Sequence, residues 1–234
     1  MLGFQHILDG IDHLLFLFCL IVPFRRFWTL VPIVTSFTIA HSITLIASAM
    51  GLAPSGLWFP PLIETLIALS IVFMAFENII GARLERRWMV AFGFGLVHGF
   101  GFSFALSESL QFAGAHLLAS LLSFNVGVEL GQLFVLAISV PVLDFLFRRR
   151  WLPELMGTIV LSAFIAHTGW HWMTERGAAL LQYEFRAPTL DVMLAATLLA
   201  KNQARSALGL LRPIEAAGIE DAQTLGLMGQ AYLQ

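Results

Sequence analysis

Six of the seven histidines, His6, His13, His41, His98, His167 and His171, and a few carboxylates stand out in this chain because they interrupt runs that are otherwise lipid-like. The densest group is Phe4-Gln5-His6-Ile7-Leu8-Asp9-Gly10-Ile11-Asp12-His13, with two His and two Asp inside eight residues of an apolar segment. Ionisable groups at membrane depth are costly and mark sites or pathways. Imidazole and carboxylate together suit borderline divalent metals such as nickel, cobalt or zinc. If residues 3–23 form one helix, His6, Asp9 and His13 fall at about 0°, 300° and 340° around its axis, on one face. Asp12, at about 240°, lies beside Asp9, in place to orient a histidine, and is counted with His6, Asp9, His13, His41, His98 and Glu129 among the candidate metal residues.

Further along, His41 lies in Ser36-Phe37-Thr38-Ile39-Ala40-His41-Ser42-Ile43-Thr44, roughly 13 Å below the outer end of its helix at 1.5 Å per residue. His98 lies in Phe92-Gly93-Phe94-Gly95-Leu96-Val97-His98-Gly99-Phe100-Gly101-Phe102; those glycines allow neighbouring helices to approach. Asn125, Glu129 and Gln132 are spaced i, i+4, i+7 and form one polar stripe, with Gly127 and Gly131 as a small-xxx-small pair. Glu129 sits well inside an apolar run, where a carboxylate calls for a cation. His167 and His171 share a face at i, i+4, a spacing that binds metals in soluble helices. Glu64 and Glu77 are accessory candidates near the two ends of one helix, and Asn125, Gln132, His167 and His171 are accessory as well. His6, Asp9, His13, Glu64, His167 and His171 are expected in the outer half, with His41, His98 and Glu129 deeper. Glu77 is expected toward the cytoplasm. The expected product is a graded polar track in which His6–His13 captures a cation and His98 and Glu129 relay it.

The elements that must carry these residues are membrane helices. Of the 234 residues 58% are hydrophobic and 12% charged, with a mean hydropathy of +0.82; soluble domains carry about 25% charged residues. At about 20 apolar residues per crossing, six spans are expected, near 3–23, 28–50, 61–81, 88–107, 114–147 and 155–173. Pro141 marks an expected kink in the fifth. Arg25 and Arg26, then Arg83, Arg86 and Arg87, then Arg148, Arg149 and Arg150 follow alternate spans, while loops 51–60 and 108–113 hold no Lys or Arg. The positive-inside rule makes the arginine loops cytoplasmic and puts both termini outside. No cleavable signal is expected: no basic stretch precedes the first apolar run. The single Cys19 permits no disulfide within one chain. The net charge of −2 carries no information about partners, and no nucleic-acid binding is expected.

Residues 177–234 read differently. Leu190, Met193, Leu194 and Leu198 recur at helical spacing and predict one helix, with Leu208, Leu210 and Leu211 at its expected end. Pro213 and Gly218 then separate it from Thr224–Leu233. The pattern predicts a helix-turn-helix outside the membrane, similar to a single tetratricopeptide-type repeat. It is expected to cap the membrane domain or to dock a periplasmic protein. The fold class expected is thus all-α and polytopic: residues 1–176 as six transmembrane helices, followed by a short helical tail.

The run His6-x5-Asp12-His13 together with His98-Gly99 resembles the HupE/UreJ family of nickel and cobalt permeases. Phe37-Thr-x-x-His41-Ser-x-Thr44-Leu45, Glu77-Asn78, His98-Gly99-Phe100-Gly101-Phe102 and Phe124-Asn125-x-Gly127-x-Glu129-x-Gly131-Gln132 resemble its second branch. The resemblance spans about residues 3–173. It implies secondary metal uptake serving hydrogenase or urease maturation, in the inner (cytoplasmic) membrane of a bacterium, with the divalent ion as cargo and no permanently bound cofactor. It assigns His6, Asp12 and His13 to one signature and His98 to a second. That second signature is a Phe-His-Gly run closing on Glu; here Val97 precedes the histidine and Ser103 stands at the closing position. The other classes considered are an anchor or assembly factor for a periplasmic complex and a haem protein using His41, His98 and His167 as axial ligands. An intramembrane hydrolase finds no support: Ser103 and Ser123 lack a nucleophile elbow, and His-Glu-x-x-His is absent. The chain is therefore not expected to be an enzyme.

Overall fold

The computed structural model describes all but residues 1, 55, 57, 111–116, 149–152, 183–189, 202, 217–221 and 234. Arg149, Arg150 and Gly218 thus lie outside the described residues, as do the side chains of Ser103, Arg148, Leu190 and Met193. The elements among the described residues are all helices: α1 (Leu2–Asp9), α2 (Ile11–Phe24), α3 (Phe27–Ala49), α4 (Phe59–Ile80), α5 (Leu84–Leu110), α6 (Leu117–Arg148), α7 (Glu154–Leu181), α8 (Leu190–Ala200), α9 (Ala204–Ala216) and α10 (Ala222–Leu233). They form two compact units. One comprises Met1–Pro54 with Phe59–Leu180, the other Ser55–Trp58 with Leu181–Gln234.

Among the described residues three helices are long and apolar enough to cross a membrane: Phe27–Ala49, Phe59–Ile80 and Ala119–Phe147. The bent pair α1–α2 makes a fourth if it counts as one span. The described residues therefore support three or four spans rather than the six expected. Length is not what sets α5 and α7 apart, at 27 and 28 residues. α5 begins with the charged run Leu84-Glu85-Arg86-Arg87, and the apolar run of α7 gives way to His167-Thr168-Gly169-Trp170-His171. Both are longer than the segments 88–107 and 155–173 anticipated. The start anticipated for α6, at 114, lies outside the described residues, and α6 continues as helix past Pro141.

The first span is not one helix. α1 and α2 meet at 76°, with Gly10 between them in an extended conformation. A helix start leaves backbone N–H groups without partners. Here the His13 amide donates to its neighbour's side chain, Asp12 Oδ1, at 2.9 Å, which satisfies one of them. Gly10 is also required for space: a Cβ there would meet His13 Nδ1 at 2.8 Å and His6 O at 2.9 Å.

Small residues set the helix crossings of the first unit. A Cβ on Gly95 would lie 2.5 Å from Phe37 O, and one on Gly99 would strike Thr44 Oγ1 and His41 O. Phe37 thus faces Gly95 and His41 faces Gly99, so α3 and α5 run side by side in the same direction. Gly93 meets nothing within 4 Å and plays no part in this contact. Gly127 and Gly131 admit α1: a Cβ on the first would lie 3.2 Å from Gly3 Cα, and one on the second 3.0 Å from Ile7 Cβ. The main apolar core of Leu17, Leu20, Ile21, Val34, Leu45 and Ile71 is fully buried around these crossings.

Arg87, counted above among the loop arginines, is instead fully buried in α5. It donates to Asn78 Oδ1, lies 3.4 Å from Glu77 Oε2 and sits over the Phe24 ring at 5.4 Å. Asn78 in turn donates to Cys19 O at 2.9 Å and Ser162 Oγ at 3.2 Å. One buried cation thus ties α2, α4, α5 and α7 together, which is how its desolvation is offset.

In the second unit the expected helix pair is three helices. The first stops at Ala200: Lys201 N donates to Thr197 O and Leu198 O, and Gln203 N to Leu198 O at 2.9 Å, closing the helix end. α9 then runs through Pro213, where the missing donor removes one hydrogen bond without ending the helix. Ala195, Leu199, Ala207, Leu211, Met228 and Ala231 form this unit's own core.

Candidate metal site

The 76° bend is what assembles the site. In a straight helix His6 and His13 would be about 10.5 Å apart along the axis. In the structure their ring centroids are 4.6 Å apart. α3 brings His41 to 6.2 Å from each of them, and α5 brings His98 to 5.2 Å from His13. One ligand atom from each of His6, His13 and His41 lies within 4.8 Å of the other two. His13, His41 and His98 are buried. Phe16 and Phe37 pack on the His98 ring at 5.3 and 5.2 Å, and Phe37 stacks on His41 at 6.1 Å.

Hydrogen bonding fixes which nitrogen His13 presents. Its Nδ1 lies 3.1 Å from Asp12 Oδ1. A carboxylate accepts, so Nδ1 carries the proton and donates, leaving the lone pair on Nε2. That Nε2 is buried with no hydrogen-bond partner among the described residues. A carboxylate behind a histidine in this way orients the ring and raises its basicity as a ligand. Asp12 thus lies against the His13 ring and not among the convergent ligand atoms of His6, His13 and His41. Among the described residues neither nitrogen of His41 makes a hydrogen bond of good geometry; Asn125 of α6 approaches it while donating its own amide to Leu121 O at 2.9 Å.

Other candidates lie apart from this cluster. Asp9 is exposed and does not share the site, because the helical wheel that grouped it with His6 and His13 assumed no break at Gly10. Glu129 is also absent from the group; it accepts from Thr35 Oγ1 at 2.6 Å, and Gln132 accepts from Thr38 Oγ1 at 2.9 Å. The α6 stripe therefore faces α3 and forms a polar seam beside the cluster. Glu77 is engaged with Arg87. Glu64, His167 and His171 are exposed, the last two with rings 4.6 Å apart. The separation of an outer capture pair from a deeper relay does not hold for the histidines: His41 and His98 lie at the same place as His13. Sequence reasoning missed Ser70, whose Oγ lies 3.0 Å from His98 Nε2; a lone serine in an apolar helix gives no signal. It also missed Gly10, which differs from the surrounding apolar residues only in lacking a side chain.

A family model described as HupE / UreJ protein matches residues 1–176. The chain belongs to the HupE / UreJ family. No curated protein and no solved structure gives a match. HupE / UreJ proteins are membrane proteins related to nickel and cobalt transport, a transporter-type rather than an enzymatic family. The matched stretch holds every residue of the histidine cluster. In this HupE / UreJ chain α1, α2, α3 and α5 each contribute one histidine to it.

Proposed function

We propose that the protein is a divalent-metal permease, with nickel or cobalt as the favoured cargo, and that His6, His13, His41 and His98 bind the ion on its way inward. The observation that carries this reading is the approach of three imidazole ligand atoms to within 4.8 Å of one another. Imidazole suits late divalent metals. Cys19, the one soft thiolate source, donates elsewhere, to Ile71 O at 3.9 Å. The family supplies metal transport in general, and the ligand chemistry favours nickel or cobalt within it. Rings packed at 4.6–6.2 Å among Phe16 and Phe37 suit a small ion better than the broad plate of a haem. In this reading α5 and α7 also cross the bilayer of the bacterial inner membrane, giving six spans with both termini outside. The helical tail lies outside as well, available to a periplasmic partner. Cells producing the protein are expected to accumulate radioactive nickel or cobalt above cells with an empty vector, and to do so still when residues 177–234 are deleted. No accumulation of nickel, cobalt or zinc by the full chain would contradict the permease. Loss on tail deletion alone, with the membrane unit still folded, would favour an anchor or assembly role.

Asp12 gives a second test of the same site. Asp12→Asn keeps an acceptor near His13 but removes the charge that makes its ring a strong ligand. Cobalt affinity of the purified protein is expected to fall about 10–100-fold, the usual effect of losing such a supporting group, with unchanged thermal melting of the metal-free protein. An unchanged affinity would remove Asp12 from the site.

A further inference from the structure

We infer that Ser70 is a positioning residue that makes His98 a ligand through Nδ1, so that His98 adds a fourth nitrogen to the triad of His6, His13 and His41. This rests on the reading of the cluster as the cargo site and extends it to a residue on a fifth helix, α4.

The inference follows from counting protons along a short chain of atoms. Ser70 Oγ lies 2.6 Å from Ile67 O and 3.0 Å from His98 Nε2. A backbone carbonyl can only accept, and a serine hydroxyl has one proton to give. Ser70 therefore donates to Ile67 and must accept from the other neighbour. That neighbour is the His98 ring, so Nε2 carries the proton between them. In a neutral imidazole the lone pair is then on Nδ1. That Nδ1 is buried without a hydrogen-bond partner among the described residues, in a ring 1% exposed and 5.2 Å from His13. A buried polar atom left unpaired is unusual in a native fold, and a ligand atom awaiting an ion accounts for it.

Ser70 cannot easily turn away. It is fully buried, and its bond to Ile67 is local to α4. On the far side of His98, Gly99 lets α3 press against α5, which holds the ring between α3 and α4. His13 and His98 thus carry complementary arrangements. His13 is fixed by Asp12 as the Nδ1–H form and offers Nε2; His98 is fixed by Ser70 as the Nε2–H form and offers Nδ1. The His13 ring lies 4.6 Å from that of His6 and 5.2 Å from that of His98, so an ion held by His13 has the His98 ring beside it as a further ligand.

The test uses the purified full-length protein in detergent with cobalt(II) as the probe. In metal-free wild type, nitrogen NMR of the labelled histidines is expected to show His98, assigned by comparison with His98→Ala, as the Nε2–H form. Ser70→Ala, checked for wild-type melting, is expected to lower cobalt affinity about 10–100-fold, to alter the ligand-field bands and to release the tautomer preference. Finding His98 as the Nδ1–H form in wild type would overturn the inference, and this holds even if Ser70→Ala fails to fold. Equal affinity and bands in Ser70→Ala would overturn it as well. Failure of wild type to bind cobalt would instead count against the cargo site itself, leaving the tautomer result to stand separately.

Discussion

His13→Ala is expected to abolish metal accumulation in cells and to weaken cobalt binding by the purified protein by more than about 100-fold, beyond the loss typical of a supporting group. No other residue is as central. His13 lies within 6.2 Å, ring to ring, of His6, His41 and His98, and it alone carries the Asp12 hydrogen bond. Its removal also leaves the Asp12 carboxylate without that ring. The metal-free protein should remain folded, because the substitution removes one side chain at a polar junction and leaves the apolar core of Leu17, Leu20 and Ile21 intact. Uptake and binding are measured together so that a loss of protein is not mistaken for a loss of site. Normal accumulation by His13→Ala would place the ion elsewhere.

The second large effect is expected from a residue with no side chain. Gly99→Val should both destabilise the protein and disable the site. A Cβ at this position collides with His41 O and Thr44 Oγ1 and comes within 3.0 Å of His41 Cα. Backbone cannot swing aside as a side-chain tip can, so α3 and α5 must part. Overpacking of this kind costs about 1–3 kcal/mol, occasionally more. Because His41 sits on α3 and His98 precedes Gly99 on α5, parting the helices also separates two of the four histidines. A lowered melting temperature with lost cobalt binding is the expected result. Gly93→Val serves as the control, since a Cβ there meets nothing within 4 Å. Equal melting and equal binding for both variants would show that the close crossing does not hold the site.

Much of the site was legible because histidine and carboxylate are conspicuous in apolar helices. His6, His13, His41 and His98 announce themselves by the cost of burying them, and the Gly127–Gly131 pair by its spacing. Their convergence was not legible. It depends on the break at Gly10, which looks from sequence like any glycine in a membrane helix, and whose effect comes from Asp12 closing the start of α2. The same break explains why Asp9 drew false attention: a wheel gives correct neighbours only where the helix is continuous. Arg87 misled in the opposite sense. Charge near a loop usually means a solvated loop, yet here Glu77 and Asn78 on the neighbouring helix receive the guanidinium inside the unit. Glu129 shows a third limit. Its depth was readable, but its partner Thr35 lies 94 residues away in sequence, and only the α3–α6 crossing joins them. In the tail, Pro213 drew attention as a breaker while the helix end lay at Ala200, set by backbone hydrogen bonds that leave little trace in composition.

The most direct test of the central claim is X-ray absorption on the purified full-length protein loaded with one equivalent of cobalt or nickel. The expected result is a single tightly held ion per chain whose inner sphere contains at least three imidazole nitrogens, and their loss in His13→Ala. An ion surrounded by oxygen alone, or a nitrogen shell unchanged in His13→Ala, would contradict it.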